Sequence, residues 1–243
     1  LKAFSANETF GMSVITSVVA ENTTRVLSVF NVPVEEIQKQ IDAVFEDIHV
    51  DAVKLGMLPT AEIISAVADK LNEYKPSIIV CDPVMVATSG DALSEGGTVS
   101  TMREKLFPIV TLLTPNIPEA EAISGLEIKN ENHMEKAARI IMDMGVKNVL
   151  VKGGHLTGDA VDYLCTPEGV HKLACKRVDS SNTHGTGCTL SSAITANLAH
   201  GMDMLSAVTK AKNYITEAIE KSFTVGKGHS PVNHFYDYYD LKG

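Results

Sequence analysis

The chain has 243 residues, 44% hydrophobic and 21% charged, with a net charge of −9 and a pI of 5.4. That apolar fraction excludes a disordered or collagen-like chain, and no stretch nears the ~20 consecutive apolar residues of a membrane-spanning helix. The acidic balance argues against nucleic acid as a partner, because such affinity comes mainly from Lys and Arg on phosphates.

Taken along the chain, apolar periodicity alternates between two kinds of segment. Gly11 to Ala20 is β-branched and reads as a buried strand. Val34 to Asp47 follows Pro33 and places Ile37, Ile41, Val44 and Phe45 on one helical face. Ala52 to Leu55 is a short strand, and Thr60 to Asn72 a helix with Thr60 as N-cap. Ser77 to Cys81 is a strand stopped at Asp82-Pro83, Thr98 to Phe107 is helical, and Ile109 to Leu113 is a strand. Asn132 to Met144 is a helix ended by Gly145, and Asn148 to Lys152 a strand. Val161 to Cys165 and Val170 to Ala174 flank Pro167-Glu168-Gly169 as a hairpin. Leu190 to His200 and Met204 to Ser222 are helices.

This order predicts an α/β fold: a three-layer α/β/α arrangement with a mostly parallel central sheet and antiparallel edge strands. The length and the lack of linkers fit one domain over residues 1–243. The cysteines at 81, 165, 175 and 188 show neither a disulfide framework nor zinc-ligand spacing. Reduced thiols in a cytoplasmic protein are the simplest reading. Leu1 to Phe4 lacks the apolar run of a signal peptide.

In such sheets ligands bind beyond the carboxyl ends of the strands. The residues there are polar or glycine-rich. The strongest signal is His184-Gly185-Thr186-Gly187-Cys188, which leads into a helix. Two glycines allow close backbone approach, and first-turn N–H groups with the helix dipole form a phosphate site. No Walker GxxxxGK[ST] and no early GxGxxG occurs. Cys188 stands where the dipole favours thiolate, and so suits a base or nucleophile. Asn116 and Glu119, three apart, fit either an oxygen site for Mg²⁺ or a capping box. Asp82 is a further oxygen donor, and Lys152 can reach a phosphate as a point charge. Glu21 and Asn22 can hydrogen-bond a small polar heterocycle between the apolar walls of Met57 and Val84.

Taken together, these residues resemble the ribokinase-like superfamily, and within it the hydroxymethylpyrimidine/phosphomethylpyrimidine kinases of thiamine biosynthesis. The resemblance rests on 11–16 (GMSVIT), 20–23 (AENT), 54–58 (KLGML), 82–90 (DPVMVATSG), 114–120 (TPNIPEA), 151–155 (VKGGH), 182–188 (NTHGTGC) and 228–234 (GHSPVNH). It implies a kinase that uses ATP and Mg²⁺ to convert a hydroxymethylpyrimidine and its monophosphate to the diphosphate. It implies Glu21, Met57 and Val84 at the pyrimidine, and Gly185, Thr186, Gly187 and Cys188 as the anion hole. Lys152 would lie near the phosphates. Asn116 and Glu119 would organise Mg²⁺ and the nucleotide phosphates, helped by Asp82, and Val232 and Asn233 would border the adenine. It also implies a homodimer.

Many sugar kinases of the superfamily carry Asp where this chain has Cys188, whereas the pyrimidine and some pyridoxal kinases carry Cys. The family's N-terminal strand and glycine-rich segment are expected to precede Leu1 and are absent from the sequence. Two rivals stand beside this reading: a pyridoxal kinase of the same superfamily, and a ligand-binding relative without catalysis.

Overall fold

A computed structural model of the chain describes residues 1–85, 97–153, 160–175 and 177–238. The motif residues 86–90, 154 and 155 lie outside this set.

Six strands form the central sheet in chain order: β3 (Val53–Leu55), β4 (Ile79–Cys81), β5 (Leu112–Leu113), β6 (Asn148–Val151), β7 (Ala160–Thr166) and β8 (Gly169–Cys175). The first four are parallel, and β7 and β8 add an antiparallel hairpin at one edge. β4, β5 and β6 are buried throughout, as parallel strands covered on both faces must be.

Strand alternation sorts the core into two layers. Cys81, Leu113, Val149, Val151 and Cys165 face one side, against α2 (Val34–Phe45), α3 (Ala61–Tyr74), α5 (Ile117–Ser124) and α6 (Glu131–Asp143). Val80, Leu112, Leu150 and Leu164 face the other, against α7 (Thr186–Ala199) and α8 (Met204–Glu220). The expected three-layer architecture and edge hairpin are both present.

Several boundaries differ from the sequence reading. Gly11 to Ala20 is not a buried strand. Only β1 (Ser17–Glu21) is extended, and it pairs with β2 (Val26–Asn31) in a separate antiparallel ribbon. Val18, Leu27 and Phe30 are exposed there. β-Branched runs look alike whether a sheet covers them or not. Thr98 to Phe107 is irregular: α4 (Thr98–Thr101), a wide π turn over Met102–Leu106, then a tight turn over Phe107–Ile109 around Pro108. That turn takes Ile109, and the strand expected from Ile109 is confined to Leu112–Leu113. α7 begins at Thr186, four residues before the expected start, because glycines hide the first turn. A short α1 (Lys2–Ala6) was not read from the sequence.

Candidate active site

The carboxyl ends of the parallel strands are stitched together by backbone hydrogen bonds. Asp82 N–H donates to Leu55 O, Thr114 N–H to Cys81 O, and Lys152 N–H to Pro115 O, at 2.8–2.9 Å. A bridge pairs Asn116 with Lys152. The polar residues just beyond each strand are thereby held at one rim.

At its centre is an ion pair. Asp82, 2% exposed, takes a 2.7 Å hydrogen bond from Lys152 Nζ and a 3.1 Å one from Thr114 Oγ1, both on Oδ1. Burial alone would raise the Asp82 carboxyl, but Lys152 and Lys54 outweigh it and hold it below its ordinary value. Burial likewise opposes charge on Lys152, but Asp82 and Glu119 raise it above the ordinary lysine value. Both groups are charged at neutral pH. Burial pushes the Glu119 carboxyl up, with Lys152 opposing.

The start of α7 faces this pair. A Cβ added to Gly187 would lie 3.2 Å from Lys152 Nζ and 3.4 Å from Asp82 Oδ2. α3, α5, α6 and α8 are capped by the side chains of Thr60, Asn116, Asn130 and Asp203. α7 has Gly185 as its N-cap, in the left-handed region at φ 75°, and no side chain caps it. The Thr186 N–H donates to Thr183 O at 3.2 Å, while the Gly187 and Cys188 amides have no side-chain acceptor, so their partial positive charge stands beside the lysine. Thr186 Oγ1 donates back to Thr183 O at 2.7 Å, which tightens the loop. Cys188 is exposed in the first turn.

The other expected residues are distributed as follows. Asn116 and Glu119 form a complete capping box: Asn116 Oδ1 accepts from Glu119 N–H at 2.9 Å, and Glu119 Oε2 from Asn116 N–H at 2.8 Å. Glu119 also accepts from the Met85 backbone. Glu21 ends β1, its Oε1 3.6 Å from His184 Nε2 beside the anion loop. Met57 and Val84 are half-buried at the ends of β3 and β4, and Met57 O accepts from Thr16 Oγ1 at 2.9 Å. Val232 is packed in the α7–α8 core. Asn233 is buried, with its amide donating to Lys221 O at the end of α8. The structure joins that segment to the loop through a bridge between His184 and Pro231.

Lys54 and Thr114 act on Asp82 although the sequence reading gave them no role. The signal for Lys54 was present: a lysine inside an otherwise apolar strand. Among the described residues, no group of three His, Cys, Asp or Glu side chains could hold a metal unaided.

A sequence model of the phosphomethylpyrimidine kinase family matches residues 1–233. The chain is 47% identical over its whole length to the thiamine biosynthesis bifunctional protein of Geobacter sulfurreducens, and spans 50% of that protein. It is 41% identical to the hydroxymethylpyrimidine/phosphomethylpyrimidine kinase of Haemophilus influenzae, with 97% of this chain and 89% of that one covered. An ADP complex of Bacillus subtilis pyridoxal kinase superposes with a TM-score of 0.89 at 36% identity, covering 96% of this chain and 89% of that one. With the rim geometry and a match over nearly its whole length, the chain belongs to the phosphomethylpyrimidine kinase family, of ribokinase-like fold.

Proposed function

We propose that this chain, as one catalytic unit, transfers the terminal phosphoryl group of ATP to 4-amino-5-hydroxymethyl-2-methylpyrimidine. A second transfer to the monophosphate gives the diphosphate of thiamine biosynthesis. The carrying observation is the uncapped start of α7 set against Lys152 and Asp82.

Each transfer forms a bond from the substrate's terminal oxygen to the γ-phosphorus, and the bond to the β–γ bridging oxygen breaks as ADP leaves. Charge spreads over the migrating group, so fixed positive groups do most of the work. The amides of 187 and 188 and the Lys152 ammonium supply it, on the loop that Gly185 and Thr186 shape. Glu21 holds the pyrimidine, with Met57 and Val84 as its apolar walls. Cys188, exposed in the same turn, would take the hydroxyl proton. Asn116, Val232 and Asn233 hold the nucleotide side.

The residues fit Mg²⁺ in the way that ion usually binds, with few carboxylates and the rest water and phosphate oxygens. Asp82 Oδ2 faces Gly187 and the anion loop, and Glu119 lies close enough for Asp82 to push its carboxyl up and for it to raise the Lys152 ammonium. These two carboxylates would hold the ion, which screens phosphate charge when bound.

The test is to incubate the chain with ATP, Mg²⁺ and the pyrimidine and follow mono- and diphosphate by mass spectrometry. Both products are expected; no phosphorylated product at any protein concentration rejects the reading. The likeness to a pyridoxal kinase supports a second reading, turnover of pyridoxal. A higher kcat/KM for pyridoxal than for the pyrimidine would favour it.

The same reading makes the protein a cytoplasmic homodimer. Its support is the exposed apolar ribbon and four free cysteines. Among the described residues, no helix is long and apolar enough to cross a membrane. Sedimentation at micromolar concentration tests the dimer, and cell fractionation the compartment.

A further inference from the structure

Opposite Lys152, one residue beyond the Val151–Tyr163 pair of β6 and β7, lies an ion pair that the kinase reading does not use. Asp162 on β7 and Lys212 on α8 are 6% and 7% exposed, and Lys212 Nζ donates to Asp162 Oδ2 at 2.5 Å. A buried pair gains little over apolar packing of the same volume, so stability alone explains it poorly. The other carboxylate oxygen has a different partner. Asp162 Oδ1 accepts the Gly153 N–H at 2.9 Å.

Gly153 directly follows Lys152, and it is gripped from other sides. A Cβ there would lie 1.7 Å from Val161 O, so only glycine lets β7 come this close. The Lys152 N–H is fixed on Pro115 O at 2.8 Å. Lys152 leaves this clamp with its Nζ 2.7 Å from Asp82 Oδ1.

We infer that Asp162, held in place by Lys212, is a positioning residue. It fixes the Lys152–Gly153 peptide and so the direction of the Lys152 ammonium toward the anion loop. The inference rests on the reading of Lys152 as the cation that meets the phosphates. Without its acceptor the Gly153 N–H would be orphaned, and the peptide would turn to find another. A misplacement of about 1 Å at a reacting group can cost on the order of a hundredfold in rate.

The experiment is a cycle of variants assayed for kcat and for pyrimidine KM. Asp162→Ala with Lys212→Met removes both charges together, so neither ion is stranded. It is expected to lower kcat about tenfold or more with KM within about twofold. Asp162→Asn with Lys212→Met restores an acceptor for Gly153 and should return kcat to within about threefold of the parent. Lys152→Ala should lower kcat by itself, and adding the Ala/Met pair to it should cost nothing further.

An unchanged kcat in the Ala/Met variant, no rescue by Asn, or losses that multiply with Lys152→Ala would each overturn the inference. If Lys152→Ala is itself silent, the reading of Lys152 falls, and the inference with it. If the Ala/Met chain does not fold, amide exchange decides. Gly153 should be protected in both the parent and the Asn/Met variant, and exchange at the open-chain rate in the parent overturns the inference.

Discussion

A methyl group added at Gly187 would press on Lys152 Nζ and Asp82 Oδ2 and take space that a phosphate oxygen needs. Gly187 is not among the positive-φ glycines, and alanine is the better helix former, so the backbone does not resist the change. Gly187→Ala is therefore expected to leave stability within about 1 kcal/mol of the parent, or raise it, while kcat falls about tenfold or more. Thermal melting beside turnover checks this, and equal loss of both would mean the residue serves folding. Asp82 makes a pH prediction. Its carboxyl is depressed in the folded state, so the unfolded chain binds that proton more tightly. The resulting stability is present above the ordinary value of 3.8 and is lost as pH falls through the folded value. Asp82→Asn removes this contribution. At neutral pH the variant should lose about 3 kcal/mol, because Lys152 is left without its partner. Between about pH 5 and about pH 3 its urea midpoint should fall less than the parent's, and a parallel fall would deny Asp82 this role. Asp82, Lys152 and Gly187 were legible because each stands at a strand end or helix start as an unusual residue type. Asp162 and Lys212 were not. Their partnership spans 50 positions, and nothing in either local sequence announces it.

Helix starts separate structural roles from binding roles. Asn116 caps α5 and Thr60 caps α3 with the same kind of bond, at 2.9 Å and 3.2 Å. Either residue changed to Ala should cost about 1 kcal/mol of stability. Only Asn116 sits at the rim, bridged to Lys152. Asn116→Ala should therefore also lower kcat or raise the ATP KM, while Thr60→Ala leaves both unchanged. If the two variants behave alike in steady-state kinetics, capping is all that Asn116 does. The elements themselves were legible where burial imposes a pattern. β4 is a continuous apolar run, and β6 is one after Asn148, because helices cover both faces, and α2, α3 and α6 carry one apolar stripe each. The ribbon was misread for the same reason inverted: its β-branched residues follow the pattern of a core strand, yet among the described residues no layer covers Val18, Leu27 and Phe30. Strand partner choice is a tertiary matter, and a run of Val and Ile does not encode it.

At the scale of the molecule, the rim is closed by segments from opposite ends of the chain. Thr23, in the turn of the β1–β2 ribbon, accepts the His229 N–H on its backbone oxygen at 2.8 Å and the Gly228 N–H on Oγ1 at 3.1 Å. His229 Nδ1 reaches Ser181 O at 3.1 Å, and His184 N–H donates to Ser230 O at 3.2 Å. The 228–231 segment thus ties the ribbon that carries Glu21 to the loop that opens α7. A contact across 205 positions leaves no trace in local sequence, so this closure was not legible beforehand. It sets up a test of distance. A Cβ at Gly228 would lie 2.0 Å from Thr23 O and 2.7 Å from Thr23 C, both backbone atoms that cannot swing aside. Gly228→Ala must push the ribbon turn away, and Glu21 with it. The segment is outside both core layers, so stability should change by about 1 kcal/mol or less. The pyrimidine KM should rise about tenfold, because a displaced Glu21 would lose the ring hydrogen bond proposed for it. A KM that stays at the parent value, with the variant folded, would separate Glu21 from the pyrimidine and leave the ribbon a purely structural part.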